Sequence, residues 1–278
     1  MKKIKLAINN LLHSVGYSII KTIDTKQFLG LDNDDQSEYE EIIKLPGCLG
    51  SDAFKLFKNL SELNYKTIDK ALEIGVFCGR SLLGIALAFP NAKVVGVDPF
   101  FEDFSDSPAF ENEAAYLRNK SGNTTKKQRI EKIWLIADRL PKTKGRIRLE
   151  ECTQDAFITK NTEKFDLVHI DGEHSYKAVF DIIDQFNNVL SPDSLVIVDD
   201  MPSPAFPEIS EAVYAHPNYN KNLFPIFYGF NKAVFIYSPS NKEVLFDIKN
   251  KLYNSYNSNI YTTRKMHDGS IMTIKKIT

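Results

Sequence analysis

The sequence predicts an α/β domain built on a doubly wound, mostly parallel sheet. Short apolar runs with strand character, "KALEIG", "AKVVGVD", "RIRLEE", "FDLVHID" and "SLVIVDD", alternate with segments of helical periodicity. Such alternation implies parallel strands joined by right-handed crossovers. Near the C-terminus, "NLFPIFYG" and "KAVFIYSP" meet at "GFN", which predicts an antiparallel pair closing the sheet edge.

In chain order, residues 1–31 begin with an amphipathic helix. Ile4, Ile8, Leu11, Leu12 and Val15 share one face, with Lys2, Lys3 and Lys5 close by. The expected role is packing on the domain or on a second subunit of a homo-oligomer, with peripheral membrane contact as the alternative. Asn9, Asn10, His13 and Ser14 interrupt the apolar stretch and no small-residue cleavage site follows, so it reads as mature sequence rather than a signal peptide. No apolar run is long enough for a transmembrane span. Residues 32–45, opening with "DNDDQSEYEE", read as an acidic linker, and residues 46–240 as the main domain.

Within that domain the helix "SLLGIALAF" is stopped by Pro90. The stretch from Asp98 to Arg146 exceeds what a crossover requires, so a lid insertion is expected over about 99–145, carrying Phe100, Phe101, Phe104, Phe110 and Tyr116. Val179, Ile182, Ile183, Phe186, Val189 and Leu190 mark a helix before "SPDS". Residues 241–278 form an extension of unassigned role.

The 278 residues carry 43% hydrophobic and 26% charged side chains at a net charge of −1, ordinary globular composition without the basic excess of dedicated nucleic-acid binders. Cys48, Cys78 and Cys152 are odd in number and far apart. That argues against a disulfide framework or CxxC metal site and suits a reducing compartment, read as cytoplasmic.

"LEIGVFCGRS" leaves the first strand for a helix with Gly75 and Gly79 at the turn. A dinucleotide fingerprint places a glycine where Phe77 stands, which disfavours a pyrophosphate and a nicotinamide oxidoreductase. The glycines still suggest close backbone approach of a ligand. Asp98 ends the second strand, where an acid can accept both hydroxyls of a ribose. Together these fit a nucleoside without pyrophosphate.

"ALEIGVFCGRSLLGIAL" resembles the first motif of class I S-adenosylmethionine (SAM) dependent methyltransferases, in particular the metal-dependent O-methyltransferases of the catechol O-methyltransferase type. "CTQDAF" resembles that family's adenine segment. The resemblance implies a Rossmann-like methyltransferase fold and SAM as cofactor. Its contacts would come from Glu73, Gly75, Phe77, Gly79 and Ser81 around the methionine half, Asp98 at the ribose, Thr153 and Gln154 at the adenine, and Asp171 nearby.

Asp171 ends the fourth strand; Asp199 and Asp200 end the fifth. Neighbouring parallel strands lie about 4.8 Å apart, so three carboxylates can converge, at a cost that a hard divalent cation offsets. An all-carboxylate set makes Mg²⁺ the first choice, with Mn²⁺ or Ca²⁺ as alternatives, while pairing with Lys or Arg from the inserted segment is the competing reading. The spacing also resembles the metal triad of the catechol-type and sugar O-methyltransferases. Where the catechol enzymes carry a lysine base this chain has His174, and Glu173 sits where some sugar enzymes carry an acid; His174 is the preferred base. His169 reads as a structural histidine.

The acceptor is read only as a class. Lid aromatics can stack on a sugar or a phenol, and the basic residues Lys126, Lys127, Arg129, Lys132, Arg139, Lys142, Lys144, Arg146 and Arg148 form a solvated helix face or meet a phosphate. "LPGCLGSDAFKLF" resembles a segment of methyltransferases from bacterial polysaccharide and sugar-natural-product pathways, which favours a saccharide hydroxyl. The competing expectations are a catechol or other phenol, and a non-catalytic SAM-binding scaffold.

Overall fold

The computed structural model describes residues 33–106, 114–201, 203–240, 242–255, 261–266 and 269–274. The N-terminal amphipathic helix expected within residues 1–31, and Phe110 of the lid, lie outside them.

Nine strands form one sheet in the order β3-β2-β1-β4-β5-β7-β6-β9-β8. The parallel core is β1 (Lys70–Ile74), β2 (Lys93–Val97), β3 (Ile147–Glu150), β4 (Phe165–Ile170) and β5 (Leu190–Asp199). The helix after β1, α3 (Arg80–Ala88), has seven consecutive buried residues, which explains its nearly unbroken apolar sequence. β6 (Leu223–Gly229) and β7 (Lys232–Tyr237) form the predicted antiparallel hairpin, with β7 against β5. Its two-residue loop, Phe230 and Asn231, has positive φ at both positions, the backbone twist that hairpin turns favour.

Helices cover both faces. α1 (Asn33–Ile42), α2 (Ser51–Glu62), α3 and α5 (Lys126–Arg139) pack on one face with α10 (Lys242–Ser255); α6 (Gln154–Lys160), α7 (Tyr176–Asp184), α8 (Phe186–Val189) and α9 (Pro207–Ala215) pack on the other. α4 (Ala114–Lys120) stands in the β2–β3 connection.

Four expectations need correction. The acidic "linker" is helix α1: Tyr39 and Ile42 are buried, and Tyr39 stacks on Phe54 of α2, so few apolar anchors suffice when they fall on one face. The lid is shorter than 99–145, because α5 is the ordinary crossover helix, capped by a Thr125–Gln128 capping box, with Ile133, Ile136 and Ala137 in the core. Its aromatics are largely structural: Phe100 and Phe104 are buried, whereas Tyr116 is exposed. The β6–β7 hairpin is not the sheet edge, since β9 (Gly269–Ile274) pairs parallel with β6 and antiparallel with β8 (Tyr261–Met266).

Two of the basic residues after Lys126 are also structural. Arg129 is buried; its guanidinium donates to the carbonyls of Thr124 and Phe101 and lies 4.8 Å from the Phe104 ring centroid. Arg146 donates to the carbonyls of Ala86, Phe89 and Ala92, closing the C-terminal end of α3.

Candidate active site

The strand order reverses between β1 and β4, and open α/β sheets bind ligands at the carboxyl ends of their strands at such a switch point. The glycine turn leaves β1 there. Gly75 has φ +89°, and a Cβ on it would stand 2.0 Å from the backbone oxygen of Asp171. Gly79, φ +81°, would place a Cβ 2.5 Å from Ile133 of α5. The space these glycines leave is therefore taken by protein backbone and core rather than kept for a ligand alone. Phe77 also has positive φ, at 53°, and its ring packs 5.5 Å from that of Phe104. Ser81 stands in the first turn of α3.

Asp98 organises this turn. Its Oδ2 accepts from the N–H groups of Val76 (2.9 Å) and Phe77 (2.8 Å), and its Oδ1 from Phe100 N–H (2.6 Å). Burial raises its pKa, against the pull of those three donors. A carboxylate offers about four acceptor positions, so roughly one remains for a ribose hydroxyl. Thr153 and Gln154 have structural roles too: Thr153 caps α6 through Ala156 N–H, and Gln154 Nε2 donates to the carbonyl of Ala178, tying α6 to α7.

On the face covered by α2 the strand ends carry a buried polar chain, and its register follows from the pairing. Glu73 is the β-partner of His169, and Asp199 of Lys232, while Asp171 follows His169 by two residues on the same face. His169 Nδ1 lies 2.8 Å from Glu73 Oε1, both side chains fully buried. His169 Nε2 lies 3.4 Å from Lys232 Nζ, and Lys232 Nζ lies 2.5 Å from Asp199 Oδ2. The Phe57 ring meets His169 edge-on and stands under the Lys232 ammonium, 5.9 Å away. The described residues supply no donor to Glu73 Oε2, so it and the spare position on Asp98 are acceptors suited to an ammonium and a ribose hydroxyl.

The charges interlock. Burial and the neighbouring Asp199 charge hold the Asp171 carboxyl well above the usual carboxylate range. Burial works to raise Asp199 as well, but the Lys232 ammonium outweighs it and holds Asp199 below its ordinary value. Burial likewise opposes the charge on Lys232, and Asp199 and Asp171 override it.

The sequence-derived metal set of Asp171, Asp199 and Asp200 does not converge. His169, Asp171 and Asp199 do, with one ligand atom from each within 4.8 Å of the others. Asp200, at φ 53°, instead accepts from Asn231 Nδ2 and faces His174, whose Nε2 is 3.7 Å from Asp200 Oδ2. With an ammonium held against Asp199 and beside His169, the site does not fit Mg²⁺ as the sequence implied. Lys232 is the residue that sequence reasoning missed. Its signal was positional, as the first residue of a strand that pairs antiparallel with one ending in two acids.

Of the two candidate bases, His174 packs against Phe206 with ring centroids 4.2 Å apart and faces Asp200. Glu173 accepts from Ser175 Oγ (2.6 Å) beside the start of α7.

Residues 72–201 match the model of a family described as Methyltransferase domain. Among solved structures, the O-methyltransferase NovP is similar at 14% identity, with a TM-score of 0.52, covering 77% of this chain and all of that one (100%). Cofactor-bound Rv0187 from MTB matches at 17% identity and TM-score 0.47, over 80% and 100% of the two chains. An O-methyltransferase from Bacillus cereus in complex with SAH matches at 15% and 0.42, over 83% and 97%. No curated protein sequence matches the chain. The sheet order and the switch-point turn are those of a Rossmann-like methyltransferase fold, and residues 72–201 carry the match to a methyltransferase domain.

Proposed function

We propose that this protein transfers the methyl group of SAM to a hydroxyl oxygen of a saccharide. The observation that carries the oxygen-directed reading is His174 beside the Asp200 carboxylate, next to the switch-point turn. In the proposed step the acceptor oxygen attacks the sulfonium methyl carbon. The new C–O bond forms as the C–S bond breaks, and the hydroxyl proton passes to His174 Nε2, leaving a methyl ether and S-adenosylhomocysteine (SAH). Asp200 stabilises the imidazolium that results. Glu173, engaged with Ser175, is the weaker candidate for the base.

Support for a saccharide comes from the "LPGCLGSDAFKLF" segment and from the exposed Tyr116 ring, a platform for a sugar face. Arg80 fixes that segment through the carbonyls of Ile43, Leu45 and Leu49. The Mg²⁺ of the sequence reading is not carried into this mechanism, in view of the Lys232 ammonium 2.5 Å from Asp199 Oδ2. Radiolabelled SAM offered with matched panels of nucleotide sugars and catechols tests the acceptor; transfer to catechols alone overturns the saccharide reading. His174→Gln is expected to lower kcat/KM by about 10²-fold or more while SAH affinity stays unchanged. Equal loss of both would assign His174 to cofactor binding instead.

A further inference from the structure

We infer that Lys232 is the resident cation of this site, a tethered ammonium that stands where a divalent ion would stand and excludes one. Four observations carry the inference. The β5–β7 register sets Lys232 directly opposite Asp199, so its placement is built into the ladder rather than chosen by a mobile side chain. The side chain is 4% exposed and its Nζ lies 2.5 Å from Asp199 Oδ2. Nε2 of His169, the buried member of the convergent His169–Asp171–Asp199 group, lies 3.4 Å from the same ammonium. The Phe57 ring lies 5.9 Å below the ammonium and packs T-shaped against the His169 ring.

The hydrogen-bond pattern is self-consistent without a metal. If the Nδ1–H of His169 donates to Glu73, its Nε2 is left with a lone pair for a Lys232 N–H. A divalent ion would need that lone pair and the Asp199 carboxylate, both already committed. It would also sit beside an ammonium that the sheet and Phe57 hold in place, and like charges at such separations repel strongly. Asp200, the third carboxylate such an ion would want, is turned to Asn231.

The inference concerns the same site as the proposed transfer but is tested apart from it. Purified full-length protein is titrated into Mn²⁺ and the free-ion signal is followed by electron paramagnetic resonance, beside a calorimetric SAH titration of the same samples. The expected result is no loss of Mn²⁺ signal with wild type and stoichiometric loss with Lys232→Met, which removes the charge at nearly constant size. Stoichiometric Mn²⁺ binding by wild type, abolished in Asp199→Asn, would overturn the inference. So would a folded Lys232→Met that binds no Mn²⁺, since something other than the lysine would then exclude the ion. Should Lys232→Met not fold, Lys232→Gln takes its place, and the wild-type titration still decides the first point. Absence of SAH binding would instead strike the methyltransferase reading and leave the Mn²⁺ result standing.

Discussion

Burying an ammonium between two strand ends costs several kcal/mol in lost hydration, and a partner carboxylate recovers that cost only while both members are present. For Lys232 and Asp199 this gives a prediction in stability. Asp199→Asn or Lys232→Met alone should each cost about 3–5 kcal/mol, because each leaves the other charge buried and uncompensated. The double variant should cost less than the sum, with a coupling of about 1–3 kcal/mol. Urea denaturation of the four proteins measures it. Strict additivity would mean that the two side chains do not pair in solution. The same residues show where sequence reading stops: Asp171, Asp199 and Asp200 were legible as strand-end acids, but which of them converge depends on side-chain direction. Asp199 and Asp171 share a face, while the left-handed backbone at Asp200 turns it toward Asn231.

At the level of elements, His216 follows α9 and reports how that helix docks on α7. Its ring lies 4.4 Å from that of Phe180, Nδ1 accepts from Asn218 N–H (3.1 Å), and Nε2 is 3.9 Å from Asp184. Burial lowers its pKa below 6.5, and the nearby Asp184 charge only partly opposes that. Below pH 6.5 the unfolded chain takes up a proton that the folded chain refuses, so stability present above 6.5 is lost as pH falls. Urea midpoints should therefore drop between about pH 7.5 and about pH 5.5 in wild type and drop less in His216→Gln. An unchanged slope would place the pH dependence elsewhere. The strands and the helices behind them were readable because apolar runs and periodicity are local signals. α1 was not, since Tyr39 and Ile42 hold it from within an acidic run; in α5 the charged helix face was legible, but it hid the apolar stripe of Ile133, Ile136 and Ala137 that makes it a crossover helix.

At the scale of the whole molecule, the extension after residue 240 is not an appendage. α10 lays Ile248 and Leu252, both fully buried, into the core that also contains Phe57 and Ile226, on the face that holds Lys232. Lys251 Nζ donates to the carbonyl of Leu63 at the end of α2, and β9 continues the sheet beyond β6. Because Phe57 of α2 lies under both His169 and Lys232, the extension braces the floor of the site from behind. Ile248→Ala should then cost about 2–5 kcal/mol, the range for removing a buried aliphatic side chain. If the brace reaches the site, removing residues 241–278 should loosen α2 as well as the sheet edge. Hydrogen exchange would register this as faster exchange in α2 amides, with α7 and α9 on the opposite face little changed. Protection in α2 that survives the truncation would confine the extension to the sheet edge and leave Phe57 held by α1 and α3 alone.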